Sequence, residues 1–297
     1  MHAILQAIPG LSLRQKPIQT YGHIVRSIFR ASYRGKDVVV KVAFSEDEKR
    51  EVQKNILGYE RMKNMGIADV VPEYFVAEAE PAFVLILEDC GRPFLEMIKE
   101  AAHPAYLYQE LLACLSLIWE RTKQKAPPDS FCALDKLLSI ALHFGDRHLQ
   151  RFVQNHTDWE WLRSFSFRDC AIPFVCFSDY DFTPDDVFLS QGRLKYVDPN
   201  AEVIGVPIID LACFSGVCLA HDLPDAEKQI ARFHDVAIQE VAPLLSIHPE
   251  DAERMYLFGR FLQTTLSACV RIDHDPKKAE RFSREALAFA KALHDRT

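Results

Sequence analysis

Residues 176–189 read CFSDYDFTPDDVFL. Four aspartates, Asp179, Asp181, Asp185 and Asp186, stand among Phe, Val and Leu. Acidic side chains enter an apolar neighbourhood only where negative charge is needed or compensated. The next stretch, VFLSQGRLKYVDP (187–199), reads as two short strands joined across Gln191-Gly192-Arg193, a hairpin signal. Asp198 ends the second strand, and Asp210 lies twelve residues on, in GVPIIDLA (205–212). A loop, hairpin and loop of this kind bring Asp181, Asp186 and Asp198 to one end of two adjacent strands. Clustered carboxylates repel one another and favour a hard divalent cation with oxygen ligands, such as Mg2+.

Upstream, FRASYRGKDVVVKVAF (29–44) has two extended stretches around Arg34-Gly35-Lys36. Lys41 sits inside its β-branched run, and a buried ammonium needs an anion. SEDEKREVQKNILGYERMKNMG (45–66) reads as a helix with a Ser45/Glu48 capping box, a face at Val52, Ile56, Tyr59 and Met62 or Lys63, and a stop at Gly66. EYFVAEA and AFVLILE follow as strands, and Asp89-Cys90-Gly91 breaks the pattern. Beyond it the chain turns helical. Residues 105–121 form a helix after Pro104, 131–166 an interrupted helical stretch, and 208 onward helices almost to the end. The expected fold class is therefore α+β, with a strand-rich N-terminal lobe (1–88) and a mainly helical C-terminal lobe (89–297).

Metal-ligating acids, a strand lysine and a hinge between two lobes form the parts list for a nucleoside triphosphate site. The arrangement resembles the aminoglycoside phosphotransferase/choline kinase-like superfamily, of protein-kinase-like fold. That family carries H-G-D-x-x-P-x-N before a strand, matched by Asp179-Tyr180-Asp181-Phe182-Thr183-Pro184-Asp185-Asp186. Its later I-D-x6-G-x-P-x-x-D-L-A is matched by Val197-Asp198, Gly205, Pro207 and Asp210-Leu211-Ala212 at the family's spacing. Lys41 in VVVKV and the LILEDCG run resemble the phosphate-binding strand and the adenine-binding hinge. The resemblance spans roughly residues 20–215.

It implies a Mg2+/ATP-dependent phosphotransferase acting on a hydroxyl or amine of a small molecule. Asp181 would be the catalytic base or orienting group. Asp198 and Asp186 would bind the metal, Lys41 the phosphates, and the backbone of Glu88–Cys90 the adenine. Asp210 would fix the catalytic loop. Four positions depart from the pattern. Asp179 stands for His. Asp186 stands for Asn, adding a charge whose repulsion at about 5 Å is roughly 3 kcal/mol unless a cation or proton offsets it. Only Gly22 represents the Gly-rich loop. The acidic partner of Lys41 is either absent, with Asn55 in its place, or supplied by Glu51 one turn earlier.

Two spacings separate protein kinases from small-molecule kinases. The twelve residues from Asp198 to Asp210 leave no room for an activation segment. About fifty residues of helical insert between Arg121 and the Asp181 loop suit an acceptor pocket, and HTDWEWL (156–162) is a candidate lining. HFGD (143–146) imitates the H-G-D motif but lacks its partner acids, and reads as a helix end. Trp119, Trp159 and Trp161 read as packing residues. The alternative is a pseudokinase that binds nucleotide or a protein partner and transfers nothing. Lys41, Asp181 and Asp198 all survive, which favours an enzyme.

The rest of the composition sets limits. The 297 residues carry net charge −7 without a Lys/Arg-rich run, so nucleic acid is not the expected partner. No apolar run reaches the roughly 18 residues of a membrane span. MHAILQAIPGLSLRQKP (1–17) lacks a signal pattern, and the eight cysteines are scattered without a C-x-x-C pair, as reduced core thiols would be. A cytoplasmic protein with a small-molecule acceptor is the expectation.

Overall fold

A computed structural model of the chain describes residues 27–127 and 170–296, together with Leu5, 7–13, 135–140, His143 and Phe167. The readings of Gly22, Cys132, the rest of HFGD, the HTDWEWL insert and most of the 131–166 helical stretch lie outside these residues. The chain divides into two compact units, Met1–Phe94 with Asp186–Val203, and Leu95–Asp185 with Ile204–Thr297. The first unit thus takes in the 187–196 hairpin, which a division at 88/89 assigns to the C-terminal part. The fold class is α+β, with a curled antiparallel sheet in the first unit and a mostly helical second unit.

The first unit is built on a five-stranded antiparallel sheet in the order β1-β2-β3-β5-β4. Its strands are β1 (Leu11–Leu13), β2 (Ser27–Tyr33), β3 (Lys36–Ala43), β4 (Tyr74–Ala79) and β5 (Ala82–Glu88). The β2–β3 hairpin closes over Arg34 (φ 51°) and Gly35 (φ 81°), the left-handed pair that a two-residue turn requires. Strand alternation then sorts the faces. Phe29, Ala31, Val40, Val42, Val84 and Ile86 join one apolar core. Lys41 points the other way and is nonetheless buried.

Helix α1 (Glu46–Asn64) follows β3, and the capping box at its start is fully formed. The Glu48 N–H donates to Ser45 Oγ at 3.2 Å, and the Ser45 N–H to Glu48 Oε2 at 3.0 Å. Its buried face is Val52, Asn55, Gly58, Tyr59 and Met62, with Ile56 half-buried. Gly66 (φ 80°) ends the segment. Strands β8 (Val187–Ser190) and β9 (Arg193–Tyr196) form a hairpin in the same unit. The Tyr196 N–H bonds Val70 O at 3.0 Å, and Lys195 Nζ bonds Val71 O at 2.8 Å, anchoring the hairpin beside the segment after α1.

The second unit contains most of α2 (Phe94–Glu100) and all of α3 (Pro104–Thr122), with Pro104 in the first helical turn. A small antiparallel sheet runs β10-β7-β6, from β6 (Gln124–Lys125), β7 (Phe174–Phe177) and β10 (Ile204–Gly205). Then come α4 (Pro207–Ala220), α5 (Ala226–Val236), a π-helical turn (Ala237–Val241), α6 (Ala242–Leu245), α7 (Pro249–Arg271) and α8 (Pro276–His294). Almost every residue of α4 is buried, which suits a central helix that is apolar all round. Helices α7 and α8 pack on each other, and α7 packs on α4. Among the described residues no helix is long and apolar enough to cross a membrane. Seven of the eight cysteines are described, and all seven are free.

Candidate active site

In the first unit, β3 holds Lys41 on the face turned toward α1. Its Nζ donates to Asp198 Oδ1 at 2.6 Å and to Asn55 Oδ1 at 3.2 Å. The Lys41 side chain is 8% exposed and that of Asp198 19%, so the pair is shielded and needs its mutual neutralisation. Of the two positions open as partners of Lys41, the structure selects Asn55. Glu51 is one turn too early: it shares an outward face with Lys54 and bonds that ammonium at 3.1 Å instead. Among the described residues the cation therefore has one carboxylate and one neutral amide.

Asn55 also donates through Nδ2 to Pro199 O at 3.1 Å. It ties strand lysine, helix and post-strand loop together. Three further α1 residues meet the same loop. Tyr59 Oη accepts the Asp198 N–H at 3.3 Å, Arg61 bonds the Ala201 carbonyl, and Gly58 lies directly against Pro199 and Asn200. A methyl group at 58 would collide with the Asn200 carbonyl and the Pro199 ring. Burial, followed by the nearby Asp198 charge, holds the Tyr59 hydroxyl well above its ordinary pKa, so it stays protonated. Asp198 itself has φ 60°, a left-handed conformation that Asp tolerates better than most residues. Asp186 opens the hairpin, and its carbonyl accepts the Val197 N–H at 2.9 Å, next to Asp198.

At the end of β5, Glu88 is held by the Glu73 N–H at 3.0 Å and faces Lys195 at 3.4 Å. The Cys90 thiol donates to Glu88 O at 3.6 Å, and burial pushes its pKa up to about 12. It is a protonated packing group, not a nucleophile.

In the second unit, residues 178–184 are organised by Asp210 in the first turn of α4. Its Oδ1 accepts the Tyr180 N–H at 2.7 Å and its Oδ2 the Asp179 N–H at 3.1 Å. Complete burial raises the Asp210 pKa to about 7. Those backbone bonds counter the rise, and the charge of Asp181 adds to it. Tyr180 (φ 59°) sends its ring over Gly205, where a methyl group would strike it, and its hydroxyl accepts the Val206 N–H at 3.1 Å. Phe182 is buried, 5.5 Å from the Phe214 ring, and Pro184 O accepts the Leu95 N–H at 3.0 Å. Asp181 is thus presented by a loop fixed on both sides of it. Tyr59 and Tyr180 escape a search for chemistry because each works through one hydroxyl, and only its partner's position reveals the role.

Solved structures with similar folds are small-molecule kinases. A choline kinase from Cryptosporidium parvum superposes with TM-score 0.55 at 12% identity, over 99% of this chain and 95% of that one. The chain has a protein-kinase-like fold. A putative fructosamine-3-kinase from Haemophilus somnus gives TM-score 0.58 at 11% identity, over 93% and 91% of the two chains. The GDP complex of an aminoglycoside 2'-phosphotransferase-IIIa gives 0.56 at 12%, over 98% and 97%. The sequence matches no family model and no curated protein sequence. Within this fold, Lys41 lies on the third strand of the N-terminal sheet, α1 follows that strand, and Asp198 follows the hairpin.

Proposed function

We propose that the protein is a cytoplasmic small-molecule phosphotransferase that uses Mg2+ and ATP. The observation that carries this reading is the shielded Lys41–Asp198 pair, which joins residues 157 positions apart at 2.6 Å. A strand ammonium and a carboxylate left-handed at the end of a hairpin form a ready-made dipolar site for a phosphate and its cation. The donor set fits such a group. Asp198 and Asp186 offer only hard oxygen ligands, and Mg2+ is commonly held by one or two carboxylates plus substrate phosphates. Among the described residues no three His, Cys, Asp or Glu side chains form a metal-holding group.

In this reading the nucleotide supplies the phosphoryl group and the cation offsets its charge. Lys41 binds phosphate oxygens, and Asp198 and Asp186 hold the cation. The backbone of Glu88–Cys90 receives the base. Asp181 orients the acceptor hydroxyl or amine and takes its proton. Asp210 keeps the Asp181 loop in shape. Positioning and charge compensation account for most of the rate in such a reaction.

A second reading, a pseudokinase that binds nucleotide or a protein without transfer, is favoured by one observation. Lys41 has Asn55 where a second acid would hold it. The experiment is a thermal-shift titration with ATP and GTP, with and without Mg2+, on wild type and Asp198→Ala. A Mg2+-dependent rise in Tm that disappears in Asp198→Ala supports the nucleotide site. Phosphate transfer to water or to a screened acceptor, lost in Asp181→Asn, then separates enzyme from pseudokinase. No shift with either nucleotide sinks both nucleotide readings.

A further inference from the structure

Tyr180 precedes Asp181 in the second unit, and its backbone is left-handed, with φ 59°. A bulky residue takes that conformation only where its surroundings impose it. Two anchors do so here. On the amide side, the Tyr180 N–H donates to Asp210 Oδ1 at 2.7 Å. On the side-chain side, the ring lies over Gly205 and Oη accepts the Val206 N–H at 3.1 Å. The torsion φ relates the amide to the Cα–Cβ bond, so holding both ends holds the torsion. That torsion sets the direction in which the chain leaves for Asp181.

The receiving end is shaped for the phenol. Gly205 ends β10, paired with Cys176 of β7, and Val206 is the residue before α4. Val206 is only 1% exposed, and its own side chain cannot cap the helix. A buried N–H needs an acceptor, and the phenol oxygen supplies it. A methyl group at 205 would collide with the Tyr180 ring and hydroxyl, so the glycine leaves the space that the ring fills. The turn alone asks for none of this, because a glycine at 180 would adopt φ 59° without strain and without a ring.

We propose that Tyr180 is a positioning residue for phosphoryl transfer: its phenol braces the Asp181 loop against the β10–α4 junction and keeps the Asp181 carboxylate aimed. This rests on the phosphotransferase reading, in which Asp181 orients the acceptor. Misplacing such a group by about 1 Å can cost on the order of a hundredfold in rate.

The test measures phosphate release from Mg2+-ATP, with water as the acceptor, by wild type, Tyr180→Phe, Asp181→Asn and the double variant. Tyr180→Phe keeps the ring and removes the acceptor of the Val206 N–H. It is expected to lower kcat at least tenfold and to leave KM for ATP within twofold. In the Asp181→Asn background the same change should cost less than twofold, because a brace that acts through Asp181 has nothing left to aim. An unchanged kcat in Tyr180→Phe overturns the proposal, and so does an equal loss in both backgrounds, which would mean general loosening. Amide hydrogen exchange gives a readout free of turnover. The Val206 amide should exchange at least tenfold faster in Tyr180→Phe, with α7 and α8 unaltered, and unchanged exchange there means that no brace exists. If Tyr180→Phe does not fold, Tyr180→Gly carries the same comparisons. A wild-type protein that releases no phosphate to water or to any screened acceptor defeats the phosphotransferase reading itself. An active wild type indifferent to the change at 180 defeats this proposal alone.

Discussion

The two units handle buried negative charge in opposite ways. In the first, Asp198 is neutralised by a cation, the Lys41 ammonium at 2.6 Å. In the second, Asp210 is fully buried and is met by two backbone N–H groups instead. An ion pair can be opened, because each partner can exchange the other for a ligand charge of the same sign. A carboxylate clasped by its own backbone has nothing to exchange and can only hold shape. The contrast separates an exchangeable contact from an architectural one without reference to any relative, and it can be broken experimentally at four points.

The largest effect is expected from Asp198→Ala, which strands the Lys41 ammonium beside a neutral amide. Breaking a shielded pair by removing one partner costs about 3–5 kcal/mol. Lys41→Met combined with Asp198→Ala should recover most of that loss, because no charge is then left alone. Chemical denaturation of the two variants decides it. A double variant no more stable than Asp198→Ala would mean that the carboxylate acts through packing and not through charge.

Asp210 should show itself in pH dependence. Its folded pKa is about 7, above the unfolded value near 3.9. Between these values the folded state holds more protons than the unfolded one, so stability falls as pH rises from about 4 to 7 and is level above that. A folded value of about 7 against 3.9 corresponds to roughly 4 kcal/mol at most. Asp210→Asn removes the titration, so the gap between variant and wild type should change between pH 5 and pH 8. A gap constant across that range contradicts the assignment.

The third point is Gly58. Alanine at an inner helix position normally stabilises by up to about 1 kcal/mol. Here the added methyl meets the Asn200 carbonyl and Pro199, so Gly58→Ala should instead destabilise by about 2 kcal/mol. A gain in Tm would show that α1 is not clamped to the 198–201 loop.

Much of this was readable beforehand, for identifiable reasons. Arg34-Gly35 and Gln191-Gly192 announce two-residue turns, because those positions demand positive φ. Ser45 and Glu48 announce a helix start through a local reciprocal bond. The spacing from Asp198 to Asp210 carries the fold resemblance because it fixes how far the chain travels between hairpin and helix. What stayed hidden depends on tertiary packing. Positions 51 and 55 are one turn apart on the same helix, and only the approach of β3 and Pro199 chooses between them. Helix α2 is seven residues long, too short for periodicity to register, and β6 and β10 are two residues each. Gly205 belongs to the recognisable motif, but its reason, the Tyr180 ring lying over it, comes from a residue 25 positions earlier.

The smallest effect tests the junction itself. Asn55 joins Lys41 to Pro199 by accepting with one side-chain atom and donating with the other. Asn55→Asp keeps the size and gives Lys41 the second acid that the resemblance expects, but it replaces the donor to the Pro199 carbonyl with an acceptor. Two facing acceptors cost about 1–3 kcal/mol, and the added attraction to Lys41 recovers part, so a net loss near 1 kcal/mol is expected at pH 7. A protonated Asp regains a donor, so the deficit should narrow as pH falls below the carboxyl's pKa. Measured as the difference from wild type at pH 7 and pH 4.5, a narrowing gap assigns Asn55 its loop-holding role. An Asn55→Asp protein more stable than wild type at pH 7 would show that Lys41 lacked a second anion and that Pro199 asked nothing of position 55. The same variant separates stability from ligand binding. If Lys41 meets phosphate, a second carboxylate beside it should weaken nucleotide binding even where the fold is intact, and the thermal shift with ATP should shrink.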